Sequence, residues 1–205
     1  MALRSFDLET TTEALTRIPR EGRALFACAI CERLLVRYRL FAKDAGWGDP
    51  LLLRRVLDRL WDFAAGRGLE DREIAAMQKL VMEATPHSER FQVRTISGAI
   101  NSGSALYQTL ELCRKDDARL AAEIGQIADA TVDMEIRLLT SLPDSDPELQ
   151  ELVLQHPAVQ AELEKQAADI EVLHQRGKYD ASFAVQFRGR AASLGFNKDC
   201  DERHV

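Results

Sequence analysis

What this chain lacks narrows the choices first. No run of apolar residues approaches the roughly 18 needed to span a bilayer, so no membrane segment is expected. The opening stretch MALRSFDLETTTEAL has no apolar core of the kind a signal peptide carries, which makes the cytoplasm the expected compartment. No stretch alternates polar and apolar residues over strand length, so no sheet is predicted. Linkers, internal repeats and low-complexity segments are missing too. The whole of 1–205 therefore reads as one domain, with 197–205, NKDCDERHV, as a frayed tail.

Cysteine and histidine are sparse. Cys28-x-x-Cys31 falls inside a helical pattern, not at a helix start after a strand, so a redox motif is a poor reading. A zinc site from Cys28, Cys31, Cys200 and His204 would need the tail to reach the first long helix, without a closed turn of ligands. Buried reduced thiols are the expected state. His87, His156, His174 and His204 are scattered as loop, cap or surface residues, and none joins a serine or cysteine in a nucleophile pattern. Di-iron helical proteins need two Glu-x-x-His motifs, on two helices, and this chain has one, Glu171-Val-Leu-His174, without a second. No metal and no cofactor are expected.

Basic charge is also short. Net charge is −6, and it is uneven. Residues 1–63 balance at +2, and residues 116–171 at −11. An acidic half argues against nucleic acid, which needs a basic footprint to neutralise phosphates. The acidic 116–171 region reads as a solvated helix face, with a docking surface for a basic protein partner as the alternative.

What is present is helix. Apolar residues make 46% of the chain and charged ones 29%, ordinary values for a globular protein long enough to bury a core. Repeated 3.6-residue patterns predict an all-α single compact domain of about seven or eight helices. Cap-plus-proline starts stand at Asp49-Pro50, Thr85-Pro86, Asp146-Pro147 and His156-Pro157. A short leading helix over 8–18 has the threonines at 10–12 as candidate caps. Further patterns run over 70–84, 95–114, 116–140, 157–176 with Gly177 as its stop, and 180–194 with Gly195-Phe196 as its stop. Small residues crowd 97–105. There Asn101-Ser-Gly-Ser104 fits no phosphate loop and predicts close helix–helix approach instead.

The domain is organised around residues 22–63, two helices joined by Asp44-Ala-Gly-Trp-Gly-Asp49-Pro50. The first, over 21–43, is apolar on most sides, which marks a central helix. Glu32 falls among its apolar residues, with Arg39 on the same arc. An unpaired charge there would be costly, so Glu32 is predicted to be buried against an arginine, with Arg33, Arg39 and Arg55 as candidates. The second helix, over 50–65, carries Arg54 and Asp58 four residues apart on its polar face. Glu32, Arg33, Asp49, Arg54, Arg55 and Asp58 thus form a candidate polar cluster. Glu135 is a second carboxylate predicted to face a core, with Leu120, Ile124, Ile127, Met134 and Leu138. Two buried carboxylates suit an acid–base pair, but salt bridges to arginines explain them more simply.

With those residues in place, a resemblance is visible. Cys31-Glu32-Arg33, Tyr38, Phe41, Gly46-Trp47-Gly48-Asp49, Arg54-Arg55-Val-Leu-Asp58 and Trp61 resemble the YjaG-like family of bacterial proteins, domain of unknown function 416. His156-Pro-Ala-Val159 with Glu162, and the small-residue helix around Ala99–Ala105, are similar to that family as well. The resemblance spans about residues 20–196. It implies an all-α cytoplasmic protein of uncharacterised function and brings no catalytic residue, cofactor or substrate.

The expectation is therefore a non-enzymatic helical interaction protein, self-associating as a homo-oligomer. The alternative is a small-molecule-binding protein or hydrolytic enzyme using Glu32, Arg33, Asp49 and Arg55. Polar groups converging in an apolar pocket would favour the alternative; side chains that only pair with each other would remove its support.

Overall fold

A computed structural model describes residues 3–140 and 142–193. Among the described residues the chain forms nine α-helices, one 3-10 turn at Ser88–Arg90 and no strand. The helices are α1 Leu8–Thr16, α2 Arg20–Ala45, α3 Pro50–Ala64, α4 Asp71–Ala84 and α5 Ile96–Lys115, then α6 Ala118–Leu139, α7 Pro147–Gln155, α8 Pro157–His174 and α9 Ala181–Ser193. The expected stop at Gly195-Phe196 and the tail residues Cys200 and His204 lie outside the described residues.

α2 is the central element. Its buried residues sit on every side of the helix, from Leu25 and Phe26 to Cys31, Leu34, Leu35 and Phe41. α5, α3, α9, α6 and α8 all pack on it. A second, smaller core joins Val132 and Ile136 of α6 to Leu149 and Val153 of α7 and Val159 and Leu163 of α8.

Local chemistry explains most helix starts. Asp49 accepts from the Leu52 amide at 2.8 Å, with Pro50 at the first turn. Asp146 caps α7 in the same way, and His156 Nδ1 accepts from the Ala158 amide to cap α8. The α2–α3 turn holds Gly46 at φ 60° and Gly48 at φ 105°, where a side chain would be strained. A Cβ on Gly48 would also meet the Tyr38 hydroxyl at 2.7 Å. That hydroxyl donates to the Ala84 carbonyl and accepts from the Asp49 amide, tying the turn to the end of α4.

Three expectations need correcting here. Asp7, not a threonine, caps α1 by accepting from the Thr10 amide. Thr85-Pro86 opens no helix: the Thr85 hydroxyl donates back to the Val81 carbonyl and ends α4, and α5 begins ten residues after Pro86, at Ile96. α8 ends at a right-handed Gln175, ahead of Gly177.

The small-residue stretch of α5 does bring two helices close. Ser102 donates to the Leu34 carbonyl of α2 at 2.6 Å. A Cβ on Gly98 would stand 2.8 Å from Arg37 Cβ and 2.9 Å from Arg37 Cγ. These are near atoms of an anchored side chain, so α5 must shift. The overpacking exceeds the roughly 1 kcal/mol that alanine otherwise gains over glycine in a helix. Gly98→Ala is expected to lower stability by about 1–2 kcal/mol in urea unfolding. Gly189→Ala on α9, where no atom lies within 4 Å of the new Cβ, is expected to be neutral or stabilising.

Candidate functional site

The adjacent residues Glu32 and Arg33 leave α2 in different directions and enter two separate clusters. Glu32 faces α3 and α9. Its carboxylate accepts from Arg54 Nη1 at 2.7 Å and Trp61 Nε1 at 2.8 Å, and pairs with Arg188 Nε at 3.1 Å. Asp58 closes the group, 2.9 Å from Arg54 and 2.5 Å from Arg188. The Glu32 side chain is 11% exposed, so the cluster lies just beneath the surface.

Arg33 faces α8 and is fully buried. Its guanidinium grips Glu162 with two parallel bonds, Nε at 2.9 Å and Nη2 at 2.7 Å, the strong bidentate geometry. Nη1 reaches Asp169 at 3.4 Å and the Ala29 carbonyl at 3.1 Å. Asp169 is wholly enclosed and is also held by Lys165, with Arg190 of α9 at 3.9 Å. Gln166 donates to Glu162 and to the Gly125 carbonyl of α6. A Cβ on Gly125 would meet Gln166 Oε1 at 2.7 Å, so glycine is what lets α6 approach. One turn further along α2, Arg37 grips Glu135 of α6 at 2.9 and 3.0 Å.

The candidate polar cluster therefore divides. Glu32, Arg54 and Asp58 meet. Arg33 joins α8 instead, Asp49 is occupied as a helix cap, and Arg55 is exposed. Glu32 is paired with arginine as expected, but with Arg54 and Arg188; Arg39 is exposed and Arg33 points elsewhere. Glu135 is half-exposed rather than core-facing. Glu162, Lys165, Gln166 and Asp169 were absent from the candidate cluster. Their signal was present: 159, 162, 166, 169 and 173 follow a three-four spacing, so polar residues occupy the middle of one inward seam.

The thiols are chemically quiet. Cys28, Cys31 and Cys113 are buried and unbridged. Burial pushes the Cys28 thiol well above its ordinary range and the Cys31 and Cys113 thiols up to about 12, so all stay protonated near neutrality. Among the described residues no group of three or more His, Cys, Asp and Glu side chains gathers as a metal site would.

One carboxylate is out of balance. Burial, then the nearby Asp133 and Glu162 charges, push Asp129 up to about 6. A carboxyl group whose folded pKa is raised binds protons more tightly when folded. Its destabilising effect is absent at pH 4, grows as pH rises toward 6 and is complete above it. Asp129→Asn is accordingly expected to raise stability at pH 7 and change little at pH 4. Urea midpoints of both proteins at the two pH values check the sign.

Several open features line the surface, among them one of about 310 Å³ beside Gln166 of α8. A trough of about 740 Å³ runs between the end of α4 and α5, with Val81, Met82, Pro86, Ile100 and Tyr107 in its walls. A narrower cavity of about 240 Å³ lies between α2, α5 and α6. Glu32, Arg33, Asp49, Arg54, Arg55 and Asp58 line none of these.

A family model described as "Protein of unknown function (DUF416)" matches residues 10–197, nearly the whole chain. The chain belongs to the DUF416 family. It is similar to "Uncharacterized protein YjaG" of Escherichia coli (strain K12), 26% identical over 149 residues, covering 72% of this chain and 74% of that protein. The Salmonella typhimurium protein of the same description is 25% identical over 96 residues, 47% of this chain and 48% of that protein. A solved DUF416 structure from Shewanella baltica OS155 superposes with a TM-score of 0.81 at 23% identity, covering 90% of this chain and 94% of that one. This likeness shows that the two share the all-α fold. In this DUF416 chain, the Glu32-Arg33 pair and Glu162 that carried the resemblance are the centres of the two ion-pair clusters.

Proposed function

We propose that this DUF416 protein is a non-enzymatic interaction protein of the cytoplasm that associates with further copies of itself. The observation that carries the reading is that the carboxylates of its charged clusters are taken up by side chains of the same chain. Glu32 is used by Arg54, Trp61 and Arg188, and Glu162 and Asp169 by Arg33, Lys165 and Gln166. Of these groups only Gln166 lines one of the surface cavities, and Glu32, Arg33, Asp49 and Arg55 line none of them, which takes the support from a hydrolytic enzyme built on those four. No helix among the described residues is long and apolar enough to cross a membrane.

The surface offers apolar relief instead. Met82 is 58% exposed on the wall of the α4–α5 trough, and Leu80 is exposed on the same helix. A helix edge beside an apolar trough is the complementary pair that self-association requires. The acidic 116–171 region supports a basic partner less well. Asp116, Glu123, Asp133 and Glu135 are committed to arginines of this chain, and Glu162 and Asp169 are buried.

Light scattering on a concentration series tests self-association. A mass above the 23.0 kDa of one chain, reduced toward it by Met82→Glu, is the expected result. A single-chain mass at every concentration would overturn it.

A further inference from the structure

The cavity between α2, α5 and α6 has the make-up of a ligand site distinct from the α4–α5 trough. Its apolar walls are Leu40, Met134, Ile136, Leu138 and Leu139, Asn101, Thr131 and Glu135 add polar groups, and its volume is about 240 Å³. An apolar cavity of about 150 Å³ already holds benzene, so this one takes a longer hydrocarbon. Leu138 is 51% exposed and Leu139 79% exposed, although they end a helix whose opposite face is buried under α7 and α8. Exposed leucines beside an open, mostly apolar cavity are a cost that a bound hydrocarbon removes.

The polar boundary gives the ligand its charge. Arg94 lines the cavity, is exposed, and forms no ion pair among the described residues. The other guanidinium in the lining, Arg37, is committed to Glu135. The start of α5 also opens here through Thr95, Ser97 and Gly98, and a helix start favours negative charge. Arg37 and Glu135 of the lining balance each other, so Arg94 leaves the cavity one positive charge in a chain of net charge −6.

We infer that this cavity binds a free monoanionic amphiphile, a carboxylate headed by Arg94 with its hydrocarbon chain between α2 and α6. The carboxylate takes the bidentate arginine geometry at the mouth. The chain covers the leucines and Met134.

Calorimetric titration with three probes tests this: decanoate, with head and chain; decanol, with the chain alone; and acetate, with the head alone. Wild type, Arg94→Glu and Leu138→Asp are compared. Saturable binding of decanoate is expected, with decanol weaker by about tenfold or more, the worth of a charge-assisted hydrogen bond, and acetate not binding. Each variant is expected to lose about tenfold or more toward decanoate. Both positions are exposed enough to leave the fold intact, which far-ultraviolet circular dichroism verifies. If Leu138→Asp fails to fold, Arg94→Glu decides alone. Absence of saturable decanoate binding overturns the inference. So does equal affinity for decanoate and decanol, or wild-type affinity in Arg94→Glu.

Discussion

Arg33→Ala is expected to cost about 3–5 kcal/mol of folding stability, because it strips the partner from buried carboxylates. Glu162 would keep only the Gln166 amide, and Asp169 would keep Lys165 and the more distant Arg190. Both carboxylates are buried, so solvent has little access to replace what is lost. A domain of ordinary stability has about 5–15 kcal/mol in all, so the variant should unfold at a much lower urea concentration. The double variant Arg33→Met with Glu162→Leu separates charge from packing. Removing both members leaves fewer stranded charges, so it should be less damaging than the sum of its parts. A loss below about 1 kcal/mol for Arg33→Ala, the range of exposed pairs, would show that water enters this cluster.

The sequence carried the fold class because helix repeats and caps are local. Asp49-Pro50, Asp146-Pro147 and His156-Pro157 each start a helix with contacts inside a few residues. α2 was legible as the centre because it is apolar all round. Thr85-Pro86 misled because a threonine hydroxyl serves a helix end as readily as a start, and here it donates backward to Val81. Met134 and Leu138 misled for a different reason. α6 has apolar residues on two faces, and periodicity does not say which face a later helix will cover. α7 and α8 cover Val132 and Ile136, leaving Met134 and Leu138 half-exposed.

The ion pairs were legible only by half. That Glu32 needs an arginine follows from its neighbours on α2. Which arginine does not, since Arg188 lies 156 residues away and reaches Glu32 only through the packing of α9. Arg33 seemed a partner for Glu32 because it is next in sequence. On a helix, adjacent residues point about 100° apart and cannot face each other.

Glu32→Ala has the second largest expected effect, about 3 kcal/mol, at the low end for a buried pair because this carboxylate is not wholly enclosed. The loss has three sources. Arg54 and Arg188 are left facing each other without the anion between them, with only Asp58 shared. The Trp61 indole N–H loses its acceptor. α9 loses one of its anchors to the central helix. Glu32→Gln separates these contributions: the amide oxygen still accepts from Trp61, but the negative charge is gone, so its cost should fall between wild type and Glu32→Ala. A functional carboxylate gives the opposite forecast, since neutralising a strained site leaves stability unchanged or raised. Urea unfolding of the three proteins at neutral pH distinguishes them. Midpoints that stay together at equal slope would rule out the structural salt bridge and return Glu32 to the list of groups with chemistry to do.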